Sequence, residues 1–189
     1  MKNNQVVAAT GNRHKLEEFR AILKDFNLIS QTEAGFSGDV EETGKTFAGN
    51  ALLKARAVCE ATGLPALADD SGLCVNALGG APGVYSARYS GGGDKQNRDL
   101  LLKNLAGVKE RSAYFACAIA LCFPNGETIT AEGRVYGRIL EEETGVNGFG
   151  YDCLFYSDEL EKSFGLASEE EKNAVSHRGR ALRELEKKL

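Results

Sequence analysis

Apolar and polar positions along the chain follow two periods, and the switches between them lay out an alternating order of strands and helices. The run "QVVAAT" (5–10) is a short apolar strand ended by the turn sequence "TGN". "RHKLEEFRAILKDF" follows, with Leu16, Phe19, Ile22, Leu23 and Phe26 at helical spacing. A second amphipathic helix is predicted from Thr46 to Ala61, turning Phe47, Ala51, Ala55, Val58 and Cys59 inward. "PALA" then reads as a buried strand that delivers Asp69 and Asp70 at its C-terminal end. A polar helix is predicted after Asp94, and beyond it "SAYFACAIALCF", the turn "PNGE" and "ETITAEGRVYGRI" form a hairpin. The alternation predicts an α/β fold, and the antiparallel hairpin makes its sheet mixed. With no repeat, low-complexity tract or linker, the expected organisation is a single domain over 1–189.

Near the C-terminus, Ser168 and Glu171 make a capping-box start. Ser176 can equally cap a new helix, and Gly179 weakens any single long one. Val175, Leu182, Leu185 and Leu189 form the buried stripe, and Arg178 falls on it if the helix is continuous. A cation aimed inward requires a partner.

Composition narrows the class. Hydrophobic content of 42% and charged content of 26% are ordinary for a globular chain. A net charge of −4 leaves no basic footprint for wide nucleic-acid contact, although a local cationic pocket remains open. The five cysteines (59, 74, 117, 122 and 153) include no C-x-x-C pair, and with two histidines a zinc site is not expected. No signal pattern opens the chain and no apolar run approaches a membrane span, so a reduced cytoplasmic protein without membrane contact is expected.

Three segments carry candidate chemistry. Neighbours on a strand point to opposite faces, so only one of Asp69 and Asp70 can serve a given site. The pair is either a turn or cap before "SG", or a hard-metal site at a strand end, with Glu41 or Glu42 of "DVEETG" as a second carboxylate. "TGNRHK" matches neither the P-loop nor the dinucleotide fingerprint. Thr10, Gly11 and Asn12 at a helix N-terminus, with Lys15 in its first turn, can still hold an anion. Lys54 lies beside an apolar stripe; like Lys15, it is read either as a snorkelling side chain or as a phosphate holder. "GFGYD" (148–152) is either a tight loop plugged by Phe149 or a lid whose ring stacks on a planar ligand.

Together these segments resemble the inosine triphosphate pyrophosphatase family. The matches are "ATGNRHKLEEF", "ETGKTFAGNALLKA", "ADDSGLCVNALGGAPGVYSARYSG", "GFGYDCLF" and "EKNAVSHRGRAL", in order across nearly the whole chain. The resemblance implies two lobes around an extended mixed β-sheet flanked by helices, with a substrate cleft between the lobes. It implies a homodimer, a purine nucleoside triphosphate substrate (dITP, ITP or XTP), a need for Mg2+, and hydrolysis to the monophosphate and pyrophosphate. By position it implies Asp70 as proton acceptor and metal ligand, with Glu42 as the other metal ligand. Thr10, Gly11, Asn12, Arg13, His14, Lys15 and Lys54 would hold phosphates, Ser71 would line the site, and Arg88 would add positive charge. Phe149, Gly150, Tyr151, Asp152, Lys172, His177 and Arg178 would form the base pocket. One departure stands out: many bacterial members of the family carry a glutamate just before the asparagine of "NALLKA" or one place earlier, where this chain has Gly49 and Ala48. Two other classes remain in view, a non-catalytic nucleotide-binding module on the same fold and a pyrophosphatase for pyrimidine or modified nucleotides.

Overall fold

The computed structural model describes residues 5–189, so the first four residues of the expected 1–189 domain lie outside the described residues. The elements are β1 (Gln5–Ala8), α1 (Arg13–Ile22), β2 (Asn27–Ser30), α2 (Phe47–Thr62), β3 (Ala66–Val75), α3 (Asp94–Asn104), β4 (Ser112–Cys122), β5 (Thr128–Ile139), β6 (Phe155–Ser157), β7 (Lys162–Ser163), α4 (Glu169–Val175) and α5 (His177–Glu186). The strands form one sheet in the order β2-β1-β3-β4-β5-β6-β7. β1 runs parallel to β2 and β3, whereas β5, β6 and β7 pair antiparallel. The expected mixed α/β sheet is therefore present.

The chain divides into two compact units. The first comprises the residues up to Asp70, Cys117–Gly133 and Arg178–Leu189; the second comprises Ser71–Ala116 and Arg134–His177. In the first, the period of two along the strands sorts side chains onto two apolar clusters. Val6, Ala8 and Leu67 pack with Phe19 and Leu23 at the end of α1 and with Ala181, Leu182 and Leu185 of α5. Val7, Ala9, Ala66 and Ala68 pack instead with Ala51, Ala55, Val58 and Cys59 of α2. Strands covered on both faces read as continuous apolar runs, which is why "QVVAA" and "PALA" show no polar alternation. The core of the second unit gathers Leu73, Val75, Leu101, Leu105 and Val135 around Phe115, Phe155 and Phe164. Phe155 lies 4.8 Å from Phe115 and 5.1 Å from Phe164, ring centre to ring centre.

Two boundaries differ from the sequence expectation, and a third settles one it left open. α1 stops at Ile22, where the Leu23 N–H still bonds the Phe19 carbonyl at 2.9 Å; Phe26 lies beyond the helix, packed against the same cluster. β3 does not end at the acids but runs on through "SGLCV", so Asp69 and Asp70 sit in the middle of a ten-residue strand. Their charges are paired within the first unit, as described below, so nothing forces the strand to stop there. The C-terminal pattern splits at Ser176, whose extended backbone (φ −64°, ψ 156°) ends α4 before α5 begins at His177. The capping box at Ser168 and Glu171 is present. The β4–β5 turn closes with a Phe123 N–H bond to the Glu127 carbonyl at 2.9 Å, and Gly126 takes the left-handed φ of 90° that this turn needs. Among the described residues, no helix is long and apolar enough to cross a membrane.

Candidate active site

Asp70 shares a strand face with Ala66 and Ala68, so its carboxylate meets α2. Asn50, fully buried in that helix, donates from Nδ2 to Asp70 Oδ2 at 2.9 Å, and its Oδ1 accepts the Gly44 N–H at 2.8 Å. One turn further along α2, Lys54 Nζ lies 2.6 Å from Glu42 Oε1 and 3.9 Å from Asp70 Oδ1. Thus Glu42 and Asp70, two acids 28 positions apart in sequence (70 − 42), converge on one ammonium. Burial raises the Asp70 pKa above the ordinary carboxylate range, and the nearby Glu42 charge adds to the rise; Lys54 and the Asn50 bond only partly offset it. Burial opposes charge on Lys54 too, but Asp69, Glu42 and Asp70 outweigh it and leave its pKa raised. The result is an ionised lysine beside an unusually basic carboxylate.

Asp69 points to the other face, the one shared with Leu67, and meets α1 and α5. Arg178, 1% exposed, donates to Asp69 Oδ2 from Nε at 3.1 Å and from Nη2 at 2.9 Å, and its Nη1 binds Glu18. Lys15 Nζ lies 3.0 Å from Asp69 Oδ1. Burial alone would raise the Asp69 pKa, but Lys15, Arg178 and Lys54 outweigh it and hold it far below the usual range. The expectation that an inward Arg178 has a partner is met, and its partners are carboxylates.

The turn before α1 is organised by its own side chains. Thr10 Oγ1 accepts the Asn12 N–H at 3.1 Å, and Asn12 Oδ1 caps the helix by accepting from His14 N at 2.9 Å and Lys15 N at 3.3 Å. Nothing stands over Gly11, so the backbone there is open to close approach. Arg13 is solvent-exposed and pairs with Glu17 at 2.8 Å, and His14 Nδ1 lies 3.9 Å from the same carboxylate group.

In the second unit, three of the expected base-pocket residues, Phe149, Asp152 and Lys172, form a compact group. Lys172, 5% exposed, donates to Asp152 Oδ2 at 2.8 Å and stands 4.7 Å from the centre of the Phe149 ring. Asp152 Oδ2 also accepts the Phe149 N–H at 2.8 Å, and the Tyr151 hydroxyl donates to the Ser86 carbonyl at 2.8 Å. Phe149 itself is half-buried, not a core plug. His177 stacks on Phe115 at 4.8 Å with planes 14° apart. Arg88 is exposed at the end of a 3-10 turn, its guanidinium 5.3 Å from the Tyr85 ring, and Ser71 is half-buried in β3. Sequence reasoning missed Asn50 and Glu18. Each sits one turn from a recognised lysine on the same helix, Asn50 before Lys54 and Glu18 after Lys15, and that spacing was the available signal. At the departure from relatives, Ala48 is exposed and the Gly49 N–H is bonded to the cap Thr46 at 3.1 Å.

The site belongs to an α/β protein whose mixed sheet presents a buried carboxylate beside a second acid, the two converging on one cation. The chain belongs to the Ham1 family, which matches residues 6–188. It is 53% identical over 184 residues to a dITP/XTP pyrophosphatase of Desulfotalea psychrophila, covering 95% of this chain and 82% of that one. It is 50% identical over 189 residues to a dITP/XTP pyrophosphatase of Streptomyces avermitilis, with 96% and 94% covered. The solved Ham1 protein of Staphylococcus aureus superposes with a TM-score of 0.88 at 42% identity, over 97% of this chain and 96% of that one. These matches bear out the resemblance drawn from the five motifs.

Proposed function

We propose that this chain hydrolyses deaminated purine nucleoside triphosphates (dITP, ITP and XTP) to the monophosphate and pyrophosphate, acting as a single catalytic domain. The observation that carries the reading is the Asp70 environment: a carboxylate made basic by burial, steered by Asn50, and facing Lys54 and Glu42. A carboxylate with a raised pKa is a better proton acceptor for an attacking water than an ordinary one. Asp70 is therefore assigned as the general base and Lys54 as a holder of the phosphates. Thr10 to Lys15 add the open turn and helix start, Ser71 lines the site and Arg88 adds charge.

Glu42 and Asp70 fit a Mg2+ ion, because they already converge on a cation and Mg2+ is commonly held by one or two carboxylates plus substrate phosphates and water. Bound there, the ion would neutralise phosphate charge as it develops. Lys54 would then exchange its carboxylate contacts for phosphate oxygens, while Asn50 keeps the Asp70 carboxylate in place.

The base is assigned to Phe149–Asp152, Lys172 and His177, with Arg178 retained as a candidate. Hypoxanthine and xanthine offer an oxygen at the 6-position where adenine offers an amino group, so a site lined by donors favours them. A polar site left unpaired by the wrong substrate discriminates better than an apolar pocket. The chain is further proposed to act as a cytoplasmic homodimer, without nucleic-acid or membrane partners.

A pyrophosphate-release screen over ITP, XTP, dITP, UTP and the common triphosphates, with and without Mg2+, tests the reading. Preference for the deaminated purines is expected; binding without turnover would favour the nucleotide-binding module, and preference for UTP the pyrimidine enzyme. Lys54→Ala should cost about 1.5–3 kcal/mol of triphosphate handling, the worth of one charge-assisted contact, equally for ITP and ATP. A large change in the ITP to ATP ratio would move Lys54 to the wrong end of the ligand. Phe149→Ala should weaken all purines alike, since stacking is indifferent to the edge groups.

A further inference from the structure

The loop that carries Phe149 is held from two sides. On one side Asp152 accepts the Phe149 N–H and receives Lys172. On the other, α3 grips Gly150 by both backbone groups. Asp94 Oδ2 accepts the Gly150 N–H at 3.1 Å, and Arg98 Nη1 donates to the Gly150 carbonyl at 3.0 Å. Asp94 and Arg98 are one helical turn apart, so their side chains leave the helix on the same side. The Arg98 guanidinium is also bonded through Nε to Glu143 Oε1 at 2.7 Å, and its side chain is only 17% exposed. One arginine thereby ties residue 143 to residue 150 and closes the segment "ETGVNGFG" at both ends.

Other bonds fix the middle of this segment, from the Thr144 N–H to the Cys153 carbonyl at 2.7 Å and from Asn147 to the Gly165 and Ala167 carbonyls at 2.9 and 3.0 Å, so the grip of α3 acts at its Gly150 end. Gly145, Gly148 and Gly150 adopt φ of 89°, 75° and 60°, and no strand runs between Ile139 and Phe155. The Gly150 N–H is at an exposed position, where water can satisfy it, so the grip of α3 is not needed to avoid an unpaired group. What the grip supplies is a fixed placement of the Phe149 ring against the Lys172 ammonium. A loop already held in place need not be ordered when a base arrives, and the ordering cost otherwise appears as lost affinity.

We propose that Asp94 and Arg98 are positioning residues that hold the Phe149 loop in its base-receiving form. The inference rests on the pyrophosphatase reading and adds two residues to which that reading assigns no role. Neither touches the ligand; they act through Gly150.

The test uses the full chain, with Arg98→Ala, Arg98→Lys and Asp94→Ala compared on ITP hydrolysis and on inhibition by IMP and by inorganic tripolyphosphate. IMP carries the base and tripolyphosphate does not. Arg98→Ala is expected to raise KM for ITP and Ki for IMP about five- to tenfold, less than the full worth of a direct charge-assisted contact because Asp152 still holds the Phe149 N–H, with kcat within about twofold and Ki for tripolyphosphate unchanged. Arg98→Lys should recover part of the loss through a single donor, and Asp94→Ala should give a smaller shift in the same direction. Equal weakening of IMP and tripolyphosphate would show a general structural role and overturn the proposal, as would no change in either. A wild-type protein that releases no pyrophosphate from ITP would remove the pyrophosphatase reading itself, and the inference with it. An active wild type with an unaltered Arg98→Ala removes only the inference.

Discussion

Asp70→Asn should lose about 10²–10⁴-fold in pyrophosphate release while remaining folded, the usual worth of a positioned general base. The amide is nearly the same shape and can keep the Asn50 bond through its oxygen, but it cannot accept a proton from water. It also removes one of the two negative charges offered to a divalent ion. The effect on stability runs the other way. A carboxyl group whose pKa is raised by folding prefers its neutral form in the native state, so its charge at neutral pH weighs against folding. The neutral amide removes that load, while Lys54 retains Glu42 at 2.6 Å. The expected outcome is a melting temperature equal to or above wild type, alongside a collapse of kcat; the two are read on one purified sample. Near-wild-type turnover with normal metal dependence would strike Asp70 from the mechanism. A large fall in melting temperature would mean that the carboxylate is structural.

Much of this arrangement was legible in the residues, and the limits of legibility have physical reasons. Alternation along a strand sends Asp69 and Asp70 to opposite faces, and it does so whether the acids end the strand or lie within it. Helical spacing put Lys54 beside an apolar stripe and Arg178 inward on a continuous helix; Arg178 is inward although the helix breaks at Ser176, because it shares a face of α5 with Leu182 and Leu185. Periodicity does not report what waits there. Arg178 meets Asp69 across 109 positions of sequence, and no local pattern encodes that pairing. Asn50 was passed over because a polar residue within an apolar stretch of "FAGNALLKA" looks like ordinary helix filler until Asp70 is known to face it. The length of β3 was underestimated for the same reason: two adjacent acids look like the end of a strand unless their counter-charges, supplied by α1, α2 and α5, are known. The grip of α3 on Gly150 is likewise invisible in "DKQNR", which reads as a solvated helix start.

Asp69→Asn should show the opposite profile to Asp70→Asn, with a large loss of stability and a modest loss of turnover. Its carboxylate is 1% exposed and neutralises an arginine that is itself 1% exposed. Removing one partner of a buried ion pair leaves the other charge in a medium that solvates it poorly, at a typical cost of about 3–5 kcal/mol. Glu18 still holds Nη1 of Arg178, which places the expectation toward the lower end of that range. For a chain of this length the melting temperature should fall by about 6–20 °C. The deficit should also depend on pH in a way that identifies its origin. A carboxylate whose folded pKa is depressed contributes stability above its unfolded pKa of about 3.9, and loses it as pH falls toward the depressed value. The gap between wild type and Asp69→Asn should therefore be constant near neutrality and narrow by about 1 kcal/mol at about pH 3, as the unfolded carboxylate takes up its proton. Urea unfolding at the two pH values measures this directly. Arg178→Ala should reproduce the loss of stability from the other side of the pair. Scored on the same sample, an unchanged ITP to ATP ratio would make Arg178 the tie between α5 and the strand, and a narrowed ratio would return it to reading the base. If Asp69→Asn instead abolished turnover and Asp70→Asn only lowered stability, the two faces of β3 would have to exchange roles. The separation of an inert, fully paired acid from a basic one beside it would then no longer explain why two aspartates stand together.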